Sequence, residues 1–139
     1  MSLERTYAMI KPDAVAAGNS GKIIDLIEKH GFRIVAMKKL RITKEQGEAF
    51  YAVHKERPFF NSLVTFMTEG PIVALVMERE DAVKQWRDLM GATNPANAAE
   101  GTVRKLYATS IERNAAHGSD APETAADETR FFFSSSELL

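Results

Sequence analysis

The sequence predicts an α/β fold of the α+β type: four strands in one antiparallel sheet with helices packed on it. Three observations predict it. The end of LERTYAMI (3–10) and the run PIVALVM (71–77) are apolar enough to be buried strands. Segments with apolar residues at helical spacing lie between and after these runs. Over 139 residues, 45% hydrophobic and 27% charged content suits one continuous core, so the chain 1–139 reads as a single domain.

Each element follows from local signals. The first strand stops at Lys11-Pro12-Asp13, an exit into a loop. In NSGKIIDLIEKHG, Ile23, Ile24, Leu26 and Ile27 fit one helix, closed by Gly31 just beyond its end. FRIVAMKKL alternates so that Phe32, Ile34, Ala36 and Leu40 share a strand face. Thr43-Lys44-Glu45-Gln46 has the pattern of a capping box and starts a helix to about Val53. Pro58 suits the first position of a short helix carrying Phe59, Leu63 and Phe66.

Beyond the buried strand, EDAVKQWRDLM is a further helix, and 91–104 is an ordered loop ending in a helical turn near Arg104. LYATSI supplies the last strand, and Pro122 starts a final helix to about Phe132. Without its small connecting helices the order is β-α-β-β-α-β, the split unit of ferredoxin-like sandwiches.

The totals exclude several functions. The chain has no cysteine, so thiolate catalysis, disulfides and cysteine zinc sites are ruled out. A formal net charge of −1 does not make a nucleic-acid footprint. The start carries Glu4, Arg5 and Lys11 and no apolar core of a signal peptide, and no run is long enough to span a membrane. The expected location is the cytoplasm.

Some apparent motifs dissolve on inspection. GNSGKI (18–23) is not a Walker A loop, because Ala16 and Ile23 stand where Gly and Ser or Thr are needed. The three histidines lack metal-ligand spacing, and no Gly-x-Ser-x-Gly elbow accompanies Ser119. What remains is a set of cations at loops and helix ends, Lys11, Arg57, Arg87 and Arg104, plus His117 among small residues in NAAHGSD. Glu128 falls three after Ala125 and four before Phe132, in the helix stripe that should face the core. A buried carboxylate needs a partner, and an imidazole or hydroxyl in NAAHGSD would supply one. A carboxylate orienting a histidine is half of a nucleophile arrangement.

These pieces occur together in one family. ERTYAMIKPDAV, GFRIVAMK, RPFF with Leu63, EGPIVALVMER, GATNPANAAEGTVRK and NAAHGSD appear in order, and over nearly its whole length the chain resembles a nucleoside diphosphate kinase. The resemblance implies transfer of the γ-phosphate of a nucleoside triphosphate to a nucleoside diphosphate, in two half-steps through a phosphorylated His117. An ordinary imidazole has a pKa of about 6.5 and is mostly neutral at cellular pH, so it meets a polyanion as a free lone pair. Transfer of a phosphoryl group needs positioning and charge neutralisation, which suits the cation set.

Position by position, the resemblance gives Lys11 the transferring phosphate and the ribose hydroxyl side, with Tyr51 beside it. Arg87, Thr93 and Arg104 take the other phosphates, aided by Mg²⁺ that the nucleotide carries rather than a protein metal site. Asn114 reaches the ribose, Phe59 stacks on the base with Leu63 and Ile111 nearby, and Ser119 and Glu128 orient the imidazole. Stacking ignores base identity, so broad nucleotide use would follow.

Pro95 falls in the family's interface loop, and Asn97, Glu100 and Ala121 depart from residues common in relatives. The first two of these departures bear on the stiffness of that loop. The resemblance also implies a homo-oligomer, with a tetramer slightly preferred over a hexamer. Two rivals differ in what they require. A nucleotide-sensing module has no need of His117 or Glu128, and a histidine phosphocarrier has no need of Phe59 or the phosphate clamp.

Overall fold

A computed structural model describes residues 3–139. The elements run β1 (Leu3–Ile10), α1 (Pro12–Ala16), α2 (Ser20–Lys29), β2 (Arg33–Leu40), α3 (Lys44–Phe50) and α4 (Phe60–Met67). They continue with β3 (Ile72–Glu80), α5 (Ala82–Met90), α6 (Val103–Tyr107), β4 (Ala116–Gly118) and α7 (Pro122–Phe132). One sheet in the order β2-β3-β1-β4 holds all four strands, and every neighbouring pair is antiparallel. Among the described residues no helix is long and apolar enough to cross a membrane.

Both faces of the two central strands are covered, which is why they read as near-continuous apolar runs rather than alternating ones. On one face Ala8, Ile10, Val73, Leu75 and Met77 pack with Ile23 and Ile27 of α2 and with Trp86 of α5. On the other, Tyr7, Met9, Ala74 and Val76 meet Phe66 and Met67 of α4 and Phe132 of α7. The Thr43 hydroxyl accepts from the Gln46 N–H, and the Gln46 side chain accepts from the Thr43 N–H, so the capping box forms as the sequence indicates.

Four details differ from the sequence reading. The chain does not leave β1 directly into a loop, because Pro12 opens the short helix α1. In β2 the register slips between Ile34 and Ala36. That bulge turns Phe32 and Ile34 toward the Trp86 core, whereas Ala36 and Leu40 pack on the opposite one, so the four residues do not share a face. Pro58 lies in a turn, and α4 begins two residues later at Phe60 with Phe59 as its cap residue. Finally, LYATSI is not a strand: its first residues end α6, and the fourth strand is Ala116–Gly118, with His117 in its centre.

That last shift positions the site. His117 pairs with Met9 across β1, so its side chain shares the face of Tyr7 and Met9. Ala116 and Gly118 pair with Ile10 and Ala8 and face the other way. A Cβ on Gly118 would fall 2.5 Å from Trp86 Cδ1 and 2.7 Å from Met90 Cε. The small residues around His117 thus make room for the indole: Ala116 and Gly118 sit on the face away from the histidine, and Ala115 is itself buried in that core.

Candidate active site

His117 opens into a cavity of about 670 Å³. Lys11, Tyr51, Phe59, Leu63, Arg87, Thr93, Arg104, Ile111, Asn114 and Glu128 line it as well. Of the residues to which the family resemblance gives a role, Ser119 is absent from that lining, because it lies buried behind Glu128. Arg57 is exposed and stays outside the cavity. Phe50, Val53, His54, Glu112, Gly118, Asp120 and Thr124 complete the walls and carried no separate signal in the sequence.

The histidine is held from behind. Its Nε2 lies 3.0 Å from Glu128 Oε1, and the Ser119 hydroxyl donates to the same oxygen at 2.6 Å. An ionised carboxylate only accepts, so Nε2 carries the ring proton and Nδ1 carries the lone pair. Nδ1 makes no hydrogen bond among the described residues. Aromatic rings fence the imidazole: Phe50 and Tyr51 meet it edge-on at centroid distances of 5.5 and 6.3 Å, and Tyr7 lies tilted at 6.0 Å. Trp86 Nε1 donates to the His117 carbonyl at 3.1 Å, which fixes the strand beneath the ring.

The cations sit at different depths. Lys11 is buried at the end of β1, and its Nζ donates to Asn114 Oδ1 at 2.9 Å. Asn114 Nδ2 in turn donates to the Ile111 carbonyl at 2.8 Å. Arg104, also buried, spreads its guanidinium over three backbone carbonyls, those of Asn114, Gly91 and Ala116, at 3.3, 3.0 and 2.9 Å. It is therefore the brace that joins the 91–104 loop to the histidine strand. Arg87 is exposed, with its guanidinium 3.5 Å from the Gly118 carbonyl, and Thr93 is exposed at the cavity mouth.

Electrostatics mark this end as short of negative charge. Burial, then the Arg104 charge, lowers the Lys11 ammonium to about 8. Burial and the neighbouring Arg87 lower Arg104 to about 10. Clustered cations that destabilise one another gain from a polyanion placed between them. Burial raises the phenols of Tyr7 and Tyr51 well above their ordinary value, and both hydroxyls are buried without a protein partner.

The far end of the cavity is apolar and open. Phe59 is 46% and Ile111 60% exposed, with Leu63 half-buried between them. Glu112 joins this wall, its carboxylate fixed by a 2.7 Å hydrogen bond from the Ser62 hydroxyl. The site thus offers a nucleophile-ready imidazole, a cationic middle and an exposed aromatic platform in one groove. Asn97 and Glu100 are exposed between α5 and α6, away from these walls, and nothing in their surroundings explains why they differ from the residues common in relatives.

Known proteins share this architecture. A family model for nucleoside diphosphate kinase matches residues 4–138. A nucleoside diphosphate kinase of Bradyrhizobium diazoefficiens is 61% identical over 139 residues, covering 100% of this chain and 99% of that protein. One from Geotalea uraniireducens is 58% identical over 137 residues, covering 99% and 100%. The crystal structure of the Aquifex aeolicus nucleoside diphosphate kinase superposes with a TM-score of 0.97 at 45% identity, covering 99% of this chain and 100% of that one. A halophilic nucleoside diphosphate kinase from Halobacterium salinarum, solved in complex with CDP, gives 0.95 at 41% identity, with 99% and 92% coverage. With the sheet, the cavity and its histidine in place, the conclusion follows that this chain belongs to the nucleoside diphosphate kinase family.

Proposed function

We propose that His117 is the nucleophile of this phosphotransferase and that the cavity holds donor and acceptor nucleotides in turn. The observation that carries this reading is the Nε2 contact with Glu128 at 3.0 Å, which leaves Nδ1 as the free lone pair of a ring that borders the cavity. In the first half-step Nδ1 attacks the γ-phosphorus of a nucleoside triphosphate. The bond from that phosphorus to the bridging oxygen breaks, and the diphosphate leaves with the electron pair. The ring now carries a phosphoryl group on Nδ1 and a positive charge, which Glu128 offsets through the Nε2 proton. In the second half-step a terminal oxygen of another nucleoside diphosphate attacks the phosphorus, and the N–P electrons return to Nδ1. No proton is gained or lost overall.

Lys11, Arg87 and Arg104 balance the phosphate charges, with Thr93 as a hydroxyl donor at the mouth and Tyr51 beside Lys11. Asn114 serves the ribose. Phe59 serves as the stacking platform, flanked by Leu63 and Ile111. Ser119 keeps Glu128 aimed at the ring. Among the described residues no group of three His, Asp or Glu could hold a metal ion, whereas the cationic walls suit a phosphate chain. This donor set fits Mg²⁺ that enters on the nucleotide, where it would neutralise charge on the phosphate oxygens. We further place the enzyme in the cytoplasm, acting as one domain over 1–139 within a homo-oligomer, a tetramer before a hexamer. Sedimentation equilibrium decides the last point.

Brief incubation with γ-labelled ATP should leave alkali-stable, acid-labile label on the protein, and added GDP should remove it as labelled GTP. His117→Ala should abolish both steps. A variant that still takes up label and makes GTP at the parental rate would remove His117 from this role.

A further inference from the structure

The sharp turn that delivers His117 is held by a residue with no role in the reaction above. Ala115 has φ 73°, the left-handed region that L side chains rarely adopt. Ala116 N donates to Asn114 O at 2.9 Å, closing a three-residue turn on Ala115, the rare and strained form of γ-turn. Ala115 is fully buried, so water cannot satisfy its backbone groups. Its carbonyl accepts from Lys11 N at 2.9 Å, and its N–H donates to Asp13 Oδ2 at 3.1 Å. The other carboxylate oxygen, Oδ1, is buried with no partner. A carboxylate is thus kept in a place that suits its charge poorly and makes one long-range bond, to the strained residue.

We propose that Asp13 is a positioning residue for phosphoryl transfer. Its carboxylate holds Ala115 in the left-handed turn, and the turn sets the register in which β4 presents His117 to the cavity. Without that acceptor, Ala115 relaxes toward negative φ and the histidine, two residues on, leaves its line of attack. The inference rests on His117 being the nucleophile.

The test compares four variants by steady-state kinetics with ATP and GDP and by His117 labelling. Asp13→Ala should lower kcat about 100-fold, the scale of a displacement of roughly 1 Å at a reacting atom, with KM changed less than about threefold. Asp13→Asn keeps an acceptor of the same shape and should stay within about tenfold of the parent. Ala115→Gly alone should be near parental, because glycine adopts positive φ freely. Combined with Asp13→Ala, it should recover at least about tenfold of the lost kcat.

A purely structural or electrostatic role of Asp13 would not be rescued by a glycine at another position. Unchanged kcat in Asp13→Ala, or a loss that Ala115→Gly does not repair, overturns the inference. So does an Asp13→Asn variant as slow as Asp13→Ala. If Asp13→Ala does not fold, recovery of folded, active protein in the double variant supports the inference and its failure to fold overturns it. Full labelling of His117→Ala would instead remove the nucleophile assignment, whatever the Asp13 series gives.

Discussion

The two ends of the cavity are built differently. At the histidine end Lys11, Arg104, Asn114 and Ser119 are all buried and each is tied by hydrogen bonds within the chain. At the other end Val53, Phe59 and Ile111 stand 84%, 46% and 60% exposed and offer surface rather than bonds. Groups aimed at developing charge must be fixed before the substrate arrives, or reorganisation consumes the gain. A stacking platform, the role proposed for Phe59, needs only a face, and looseness there would let different bases use it. The difference predicts that changes at the buried end damage fold and rate together, whereas changes at the open end alter affinity alone.

Arg104→Lys should have the largest effect if the geometry of the guanidinium matters, and should be nearly neutral if charge alone does. A lysine keeps the charge but cannot reach the Asn114, Gly91 and Ala116 carbonyls at once. Leaving two of them unpaired should cost about 3 kcal/mol, near 10 °C in Tm, which calorimetry would read. Transfer should fall about 100-fold as the histidine strand loosens. A variant with parental Tm and rate would show that the buried end is not preorganised by this brace.

Glu128→Ala comes next. It removes the acceptor for the His117 Nε2 proton and for the Ser119 hydroxyl. The loss of one charge-assisted hydrogen bond is worth about 10- to 100-fold in rate. Rapid-quench labelling should show the slower phosphorylation with nucleotide affinity little changed. Equal effects on KM and rate would mean that Glu128 serves binding rather than orientation.

How much of this was legible beforehand differs between the two ends in an instructive way. The capping box, the buried central strands and the Glu128 stripe are local or periodic, so they could be read directly. The fourth strand could not: Ala116–Gly118 has three residues, too few for any period, and it exists because Ala8 to Ile10 offer an open ladder. The bulge in β2 hides for the same reason, since one extra residue erases the alternation that would reveal it. Gly118 is one of the small residues around His117, but sequence shows size and not facing, and only the pairing shows Trp86 on that side. Asp13 reaches Ala115 across 102 residues and Phe50 reaches the histidine across 67, and no spacing rule spans such distances.

The ammonium of Lys11 gives the buried end a pH signature. Its folded pKa of about 8 lies below the ordinary 10.5, so above about pH 8 the unfolded chain binds more protons than the folded one. Stability should therefore rise with pH from about 8 to 10, as the cost of a buried charge is relieved. Above about 10 the trend reverses, because the buried phenols of Tyr7 and Tyr51 keep protons that the unfolded chain releases. Activity moves the other way in the first window: neutral Lys11 no longer attracts phosphate, and kcat/KM should drop about tenfold between pH 7 and pH 9. Lys11→Arg should flatten the drop, and a profile identical to the parent's would assign it to another group.

The smallest expected effect lies at the open end and sharpens the contrast most. Phe59 caps the start of α4 at 46% exposure, with the His54 ring at 5.5 Å as its neighbour. Phe59→Ala removes a platform that a base covers on one side only, so the low end of the stacking range applies, about 1 kcal/mol or roughly fivefold in KM. Since every base has a π-face, the increase should be the same for ADP, GDP, CDP and UDP, with kcat and Tm unchanged. Glu112 supplies the competing outcome. Its carboxylate, held by Ser62, can accept from the exocyclic amino groups of adenine, guanine and cytosine, a donor that uracil lacks. If Phe59→Ala makes the enzyme selective among bases, stacking had been masking a polar preference at that wall. Tolerance would then be a balance between two groups rather than a property of the aromatic face alone.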